Sequence, residues 1–306
     1  MKNIILIRNI LLALLIFFIF QNEMIAQQLP LINQNRQTLN PSFIHSGFFK
    51  YELPSNLSLR FRSQWTKHED MPITVVGDFS HWNEEYSFLT GGEIINDKTG
   101  PTSFTGLFGK AAYGIELGEE MLLTIGLKGG VLQYRVNGAD LNFFESGDIA
   151  STNVTKIFPD FSVGTTLYFQ EKYYLGFSVP QTFGLNLKFR TDENNFNIER
   201  VQHYYGILGA RFSLENDSWI ETSSEVRYVQ NIPFYVNAKL MYDYQEMFWL
   251  GVSGSNTREF GVDLGIILNI GTDSHILRCG YSFTNFFQEF GPHFGSTHEI
   301  GFSYSL

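Results

Sequence analysis

The sequence predicts an all-β fold: a transmembrane outer-membrane β-barrel of about 14 antiparallel strands with a short N-terminal arm or plug. Three observations predict it: an apolar start preceded by basic residues, a period-two alternation along the rest of the chain, and connections of two kinds, short and long.

The start has the order of a secretory signal peptide. Lys2 and Arg8 supply the basic region, Ile10 to Phe20 the apolar run, and Gln21-Asn22-Glu23 a polar approach to Ala26. Cleavage after Ala26 would place Gln27 at the mature end. The uninterrupted run is too short for a spanning helix, which needs about 20 apolar residues. The expected layout is a signal peptide over 1–26, an arm or plug on the periplasmic side over 27–53, and a barrel over 54–306.

Composition agrees with strands and tight turns. Aromatic residues (30 Phe, 15 Tyr, 4 Trp) make up 16% of the chain, while charged residues are 17%, against roughly 25% in ordinary globular domains. Gly is abundant at 28 and Pro sparse at 9. After the signal, 19 basic and 30 acidic residues remain, a net charge of −11. Such a surface repels phosphates, so nucleic acid is not an expected partner; outer-membrane lipid is. Cys279 is the one cysteine, so no intramolecular disulfide can form.

Alternation carries the strand assignment. Phe260, Val262, Leu264, Ile266, Leu268 and Ile270 stand opposite Gly261, Asp263, Gly265, Ile267 and Asn269. Leu123, Ile125, Leu127, Gly129 and Val131 repeat the pattern, as do Phe234, Val236, Ala238, Leu240 and Tyr242. Successive strand side chains point to opposite faces, so each strand has one greasy and one polar or small face. The spans are 55–65, 72–82, 85–96, 103–117, 121–135, 158–169, 173–182, 201–214, 219–229, 233–244, 247–254, 259–270, 275–284 and 297–306. Breaks near 119–120, 171–172, 215–218, 245–246 and 271–274 are short; those at 136–157, 183–200 and 285–296 are long. An even strand count puts both ends in the periplasm, with short turns there and long loops outside.

The last strand, Glu299 to Leu306, alternates apolar residues at 300, 302, 304 and 306 with Gly and Ser. It resembles the terminal-strand signal of outer-membrane barrels, with Leu306 where Phe is usual. Alternation alone does not say which face is wet, and a soluble β-sandwich has the same period. Aromatic residues near strand ends (Trp65, Trp82, Trp219, Tyr244, Phe248, Trp249) favour membrane interface girdles.

Several blocks occur in an order that resembles the PorP/SprF family. Asn40-Pro41 precedes Arg62-Ser63-Gln64-Trp65 and then Pro72-Ile73-Thr74. Phe158-Pro159-Asp160-Phe161, Tyr173 to Val179 and His203-Tyr204-Tyr205 follow, and Gly280 to Phe283 and Ser296 to Ile300 close the chain. The stretch Val252 to Arg258 departs from the family by lacking its Tyr-Arg. The resemblance implies a non-enzymatic outer-membrane component of type IX secretion and gliding motility. Its partners would be secreted, adhesin-like proteins with a type B C-terminal domain and other components of that machinery.

Physical reading adds roles. Arg60 and Arg62 share the polar parity of Ser58 and Gln64, so both are expected in the lumen; a lipid-facing Arg costs roughly 2–4 kcal/mol at the midplane. Asp78, Glu116 and Asp263 are the expected partners. Either a salt network or a site for a partner's acidic tail fits this pattern.

Catalytic, cofactor and metal signals are missing from the sequence. The seven histidines are scattered and no Gly-x-Ser-x-Gly occurs. Gly91 to Gly100 lacks the Gly-Lys-Ser/Thr ending of a phosphate loop. Adjacent strand residues such as His298 and Glu299 face opposite ways.

Two functions remain in view: docking a secreted protein, or forming a passive or substrate-selective channel such as a porin or fatty-acid-type transporter. The docking candidates are loop aromatics, Phe143 and Phe144 in one loop and Phe286, Phe287, Phe290 and Phe294 in another. These either close the barrel mouth or grip a partner. The arm, polar at Asn33 to Gln37 and apolar at Leu39, Phe43, Phe48 and Phe49, is expected to enter the barrel and narrow it.

Overall fold

A computed structural model describes residues 36–44, 54–137, 153–180, 182, 202–214, 216–270, 275–287, 293 and 295–306, with the backbone alone of 186–190 and 195–199. In chain order the strands are β1 (Ser55–Ser63), β2 (Ile73–Asn83), β3 (Phe88–Thr99), β4 (Thr102–Glu116), β5 (Met121–Val136), β6 (Val154–Phe169) and β7 (Tyr173–Val179). A small hairpin, β8 (Asn186–Arg190) and β9 (Asn195–Glu199), comes next. The second half holds β10 (His203–Ser213), β11 (Trp219–Val229), β12 (Ile232–Tyr244), β13 (Phe248–Ser255), β14 (Glu259–Asn269), β15 (Ile276–Phe286) and β16 (Thr297–Ser305).

All of these except β8 and β9 close into one antiparallel barrel of 14 strands. The seam joins β1 to β16, with Arg62 opposite Glu299 and Leu57 opposite Tyr304. Ser55 and Leu306 exchange backbone hydrogen bonds at 2.9 and 3.0 Å, so the two strand ends finish level.

Burial settles which face is wet. Along β2 the inward set is Thr74, Val76, Asp78, Ser80 and Trp82, all buried. Inward positions elsewhere include Glu93, Lys110, Thr124, Lys128, Asp160, Thr166, Glu221 and Asp263, again buried. The outward set is apolar and exposed, as Leu107 (61%), Leu127 (61%) and Leu175 (60%) illustrate. A soluble domain would hide these side chains and expose the charges; only hydrocarbon outside makes the arrangement favourable.

Both barrel ends lie at one rim, here the terminal rim; the opposite one is the loop rim. Turns at the terminal rim are short, and three of them place two adjacent residues at positive φ: Gln170 and Glu171, Asn216 and Asp217, Gln245 and Glu246. This is the type I′ geometry whose twist suits two-residue hairpins. The sequence predicts long loops at the loop rim, but that rim is not made of long loops alone. At the loop rim the connections 100–101, 230–231 and 256–258 are also short. The break read as a loop at 183–200 contains the β8–β9 hairpin, and β6 begins at Val154 rather than 158.

Aromatic girdles line both rims, but with different members. At the terminal rim Tyr173 packs against Phe169 and Phe212 with ring centroids 6.2 Å apart in each case, and Tyr244 lies 5.1 Å from Phe248. At the loop rim Phe177, Tyr204, Tyr228 and Phe234 form a chain of contacts. Trp82, Trp219 and Trp249 do not belong to a girdle. Trp82 is buried inside the barrel, the Trp219 ring stacks on the Arg211 guanidinium at 4.3 Å, and Trp249 has the inward parity of Gly251.

Candidate functional site

Residues 36–44 lie in the lumen. A four-residue helix, α1 (Arg36–Leu39), leads into a turn at Asn40, Pro41 and Ser42, then Phe43 and Ile44. Asn40, Ser42, Phe43 and Ile44 have no solvent exposure. A buried backbone needs a partner for every polar group; the Asn40 and Phe43 amides find theirs within the segment, and the wall supplies others. Ser178 donates to the Leu39 carbonyl at 2.8 Å, and Lys128 Nζ to that of Thr38 at 2.7 Å. Thr124 donates to the Ser42 carbonyl at 2.7 Å. Tyr168 Oη accepts from the Ile44 amide at 2.7 Å and donates to its carbonyl at 3.1 Å.

Wall glycines give the Asn40 turn its room. A Cβ on Gly126 would stand 2.5 Å from the Ser42 nitrogen, and one on Gly176 2.8 Å from Asn40 Nδ2; one on Gly164 would strike Asn40 Oδ1. Into that socket Asn40 donates to Thr166 Oγ1 at 3.0 Å, while its own Oδ1 accepts from Ser42 Oγ at 2.7 Å. Phe43, Ile44 and Leu39 complete an apolar cluster with Trp82, Leu89, Ala112, Tyr168, Tyr174, Tyr205 and Ile207. Nearer the loop rim Val76, Ile95, Phe108, Leu132 and Phe158 form a second apolar cluster on the inner wall.

Charge fixes the arm's leading end. The Arg36 guanidinium bonds Glu221 at 2.6 Å and Ser223 at 3.1 Å, with the rings of Phe43 and Tyr174 at 5.4 and 5.2 Å. Glu221, 1% exposed, also accepts from Arg211 and Tyr174. Burial alone would weaken the charge on Arg36; Glu221 first, then Tyr174, Glu225 and Tyr205, outweigh it and hold the group above its ordinary pKa. Lys110 bridges Asp78 and Gln37, and Lys128 pairs with Glu93 at 2.9 Å.

Arg62 is buried, and Arg60 shares its inward face. Both experience the carboxylate of Glu299 on the neighbouring strand as their main favourable charge. The expected partners are therefore mostly replaced. Asp263 pairs with Lys239 at 3.0 Å and accepts from Ser282. Asp78 is held by Lys110, though it also acts on Arg60, and Glu116 is exposed at the rim. Gln64 is buried and its backbone N–H donates to the Pro72 carbonyl, Thr74 donates to Asp97, and Trp65 is exposed at the loop rim. The blocks around Arg62 and around Glu299, far apart in sequence, thus meet across the seam.

Of the loop aromatics, Phe287 is 69% exposed and lies 6.4 Å from Phe260 on the outer wall, while Phe286 ends β15. Phe143, Phe144, Phe290 and Phe294 lie outside the described residues. Among the described residues, no group of three His, Cys, Asp or Glu side chains is placed to hold a metal ion. The Asn40 socket and the Glu221 anchor are the features sequence reasoning missed; Gly126, Gly164 and Gly176 on inward parity are the signal for the socket.

Solved structures of similar shape include the CymD monoaromatic hydrocarbon channel, 10% identical, with a TM-score of 0.53 over 89% of this chain and 93% of that one. A Pseudomonas aeruginosa FadL homologue is also 10% identical, with a TM-score of 0.48 over 87% of this chain and 91% of that one. At such identity the likeness to the first is one of barrel fold. No curated protein matches the sequence. The family of the type IX secretion system membrane protein PorP/SprF matches residues 24–304, nearly the whole chain, and the chain belongs to that family.

Proposed function

We propose that this outer-membrane component of the type IX secretion machinery docks secreted, adhesin-like substrates with a type B C-terminal domain at its loop rim, on a barrel that the 27–53 arm keeps plugged. Membership in the family makes other components of that system its partners. The observation that carries the docking reading is the lumen occupied by residues 36–44, every one of them hydrogen-bonded to, or packed on, the wall. A substrate held by such a barrel is held from outside. Export of the chain would leave Gln27 at the mature end, which N-terminal sequencing reads directly.

The aromatic loops at the loop rim supply the gripping surface. The double substitution Phe143→Ala with Phe287→Ala tests this. At matched levels of folded barrel, substrate is expected to leave the cell surface for the medium; full retention on a folded double mutant would sink the gripping idea. A channel is the second reading, supported by the fold shared with CymD. A large, steady ion conductance from the purified, partner-free protein would favour it over docking.

A further inference from the structure

A groove of about 780 Å³ opens at the terminal rim beside the β2–β3 turn. Its size falls among small-ligand sites, roughly 300–1,000 Å³. A step in the barrel edge creates it. Phe88, the first residue of β3, pairs with Tyr113, yet β4 runs on to Glu116 before turning. The Gly114 amide donates to the Ser87 carbonyl at 2.7 Å, pinning the shorter turn against the longer hairpin.

The groove has two chemistries. Its floor is the outer wall: Phe88, Tyr113 and Ile115 line it and are 37%, 54% and 37% exposed. Its edge carries Glu85 and Glu116, both exposed, and no Lys or Arg is among its lining residues. Tyr86, 64% exposed, adds a phenol donor beside them. Glu84 in the same turn and Glu119 and Glu120 in the next keep this stretch of the rim acidic. An apolar floor continuous with the lipid-facing wall fits an acyl chain. Carboxylates at headgroup depth fit a cation, and they repel an anionic headgroup.

We propose that this groove binds one phospholipid whose headgroup bears an ammonium, such as phosphatidylethanolamine, from the periplasmic leaflet. The ammonium lies between Glu85 and Glu116, the phosphate takes the Tyr86 hydroxyl, and an acyl chain covers Phe88, Tyr113 and Ile115. The leaflet assignment rests on the reading that the terminal rim faces the periplasm; the lipid preference does not.

Native mass spectrometry of the full-length protein in mixed micelles tests it, with phosphatidylethanolamine and phosphatidylglycerol at equal concentration. Retention of the ammonium lipid is expected to exceed that of the anionic one about fivefold, the size two interfacial ion pairs support. The double substitution Glu85→Gln with Glu116→Gln should bring the ratio near one, and Glu85→Asp with Glu116→Asp should restore most of it. Equal retention by the unchanged protein, or a ratio untouched by the Gln pair in barrels of normal gel mobility, would overturn the proposal. So would a lysine-rich peptide that is retained in place of the lipid. Labelling of a tag at Glu120 on intact cells would overturn the leaflet assignment alone.

Discussion

The lumen has two halves filled in different ways. Against β4 to β7, β10 and β11 the barrel holds a guest, residues 36–44, through hydroxyl and amide hydrogen bonds, two lysine donors, three wall glycines and one anchored guanidinium. Against β1, β2 and β12 to β16 the wall fills itself with its own charges. There Lys239 pairs with Asp263, Tyr235 donates to Glu259, and Arg60 and Arg62 face Glu299. A guest brings backbone that must be matched group by group, whereas wall side chains bridge strands already paired. Damage to the guest half should therefore open the lumen, and damage to the seam half should weaken the closure.

Removing the guest has the largest expected effect. Deleting 36–44, or substituting Gly126→Val so that the Asn40 turn no longer fits, should raise single-channel conductance roughly tenfold or more, since a fourteen-strand barrel has room for a passage. The shift to the unfolded gel form on heating should change little. Unchanged conductance with normal barrel levels would mean that the arm does not close the lumen.

Next comes the anchor. Glu221→Gln leaves the half-buried Arg36 and Arg211 without their shared, buried carboxylate, a change that costs up to about 3–5 kcal/mol when one partner of a buried pair is lost. Trypsin cleavage after Arg36 should accelerate strongly, and conductance should flicker between closed and open levels. The seam counterpart is Glu299→Gln, which strips an equally buried carboxylate from Arg60 and Arg62 and has a similar expected cost of about 3–5 kcal/mol. It should lower the heating midpoint of the barrel while conductance stays closed. A Glu299→Gln barrel that opens without losing stability would reverse the comparison.

Much of the barrel was legible because one physical rule, alternation between lipid and lumen, acts on every residue of every strand. The span read for β11, 219–229, matches the structure. Where the rule stops, so did the reading. Nearness to strand ends suggests an interface place for Trp82, Trp219 and Trp249, yet Trp82 shares parity with Asp78, which alternation sends inward. Ion pairs were harder. Asp78 meets Lys110 across two strand pairings, and Asp263 meets Lys239 across β13, so their partners follow from register and shear rather than from composition. The Asn40 to Thr166 contact spans 126 residues and obeys no period. Asn186 to Glu199 is a hairpin too short for two-residue periodicity to separate from a loop.

The smallest expected effect is the sharpest test of the guest half, because it removes one oxygen and its two contacts but no volume. Thr166→Val keeps the shape of the side chain and deletes the oxygen that accepts from Asn40 Nδ2 at 3.0 Å and meets Ser42 Oγ at 2.8 Å. Ser42 retains its bond to Asn40 Oδ1, so the Asn40 amide nitrogen bears the loss. A buried donor left without its acceptor costs about 1–3 kcal/mol. The arm is held by several other bonds, so it should stay seated. Amide exchange at Asn40 and at residues 42–44 should quicken by about tenfold, the ratio that 1.4 kcal/mol gives. The heating midpoint of the barrel should not move, since Thr166 belongs to a strand whose ladder is intact. Thr165→Val is the control: its hydroxyl donates to the Thr124 carbonyl and faces away from the arm. Equal exchange in the two variants would show that the Asn40 contact does not hold the guest, and would leave Arg36 as its principal anchor.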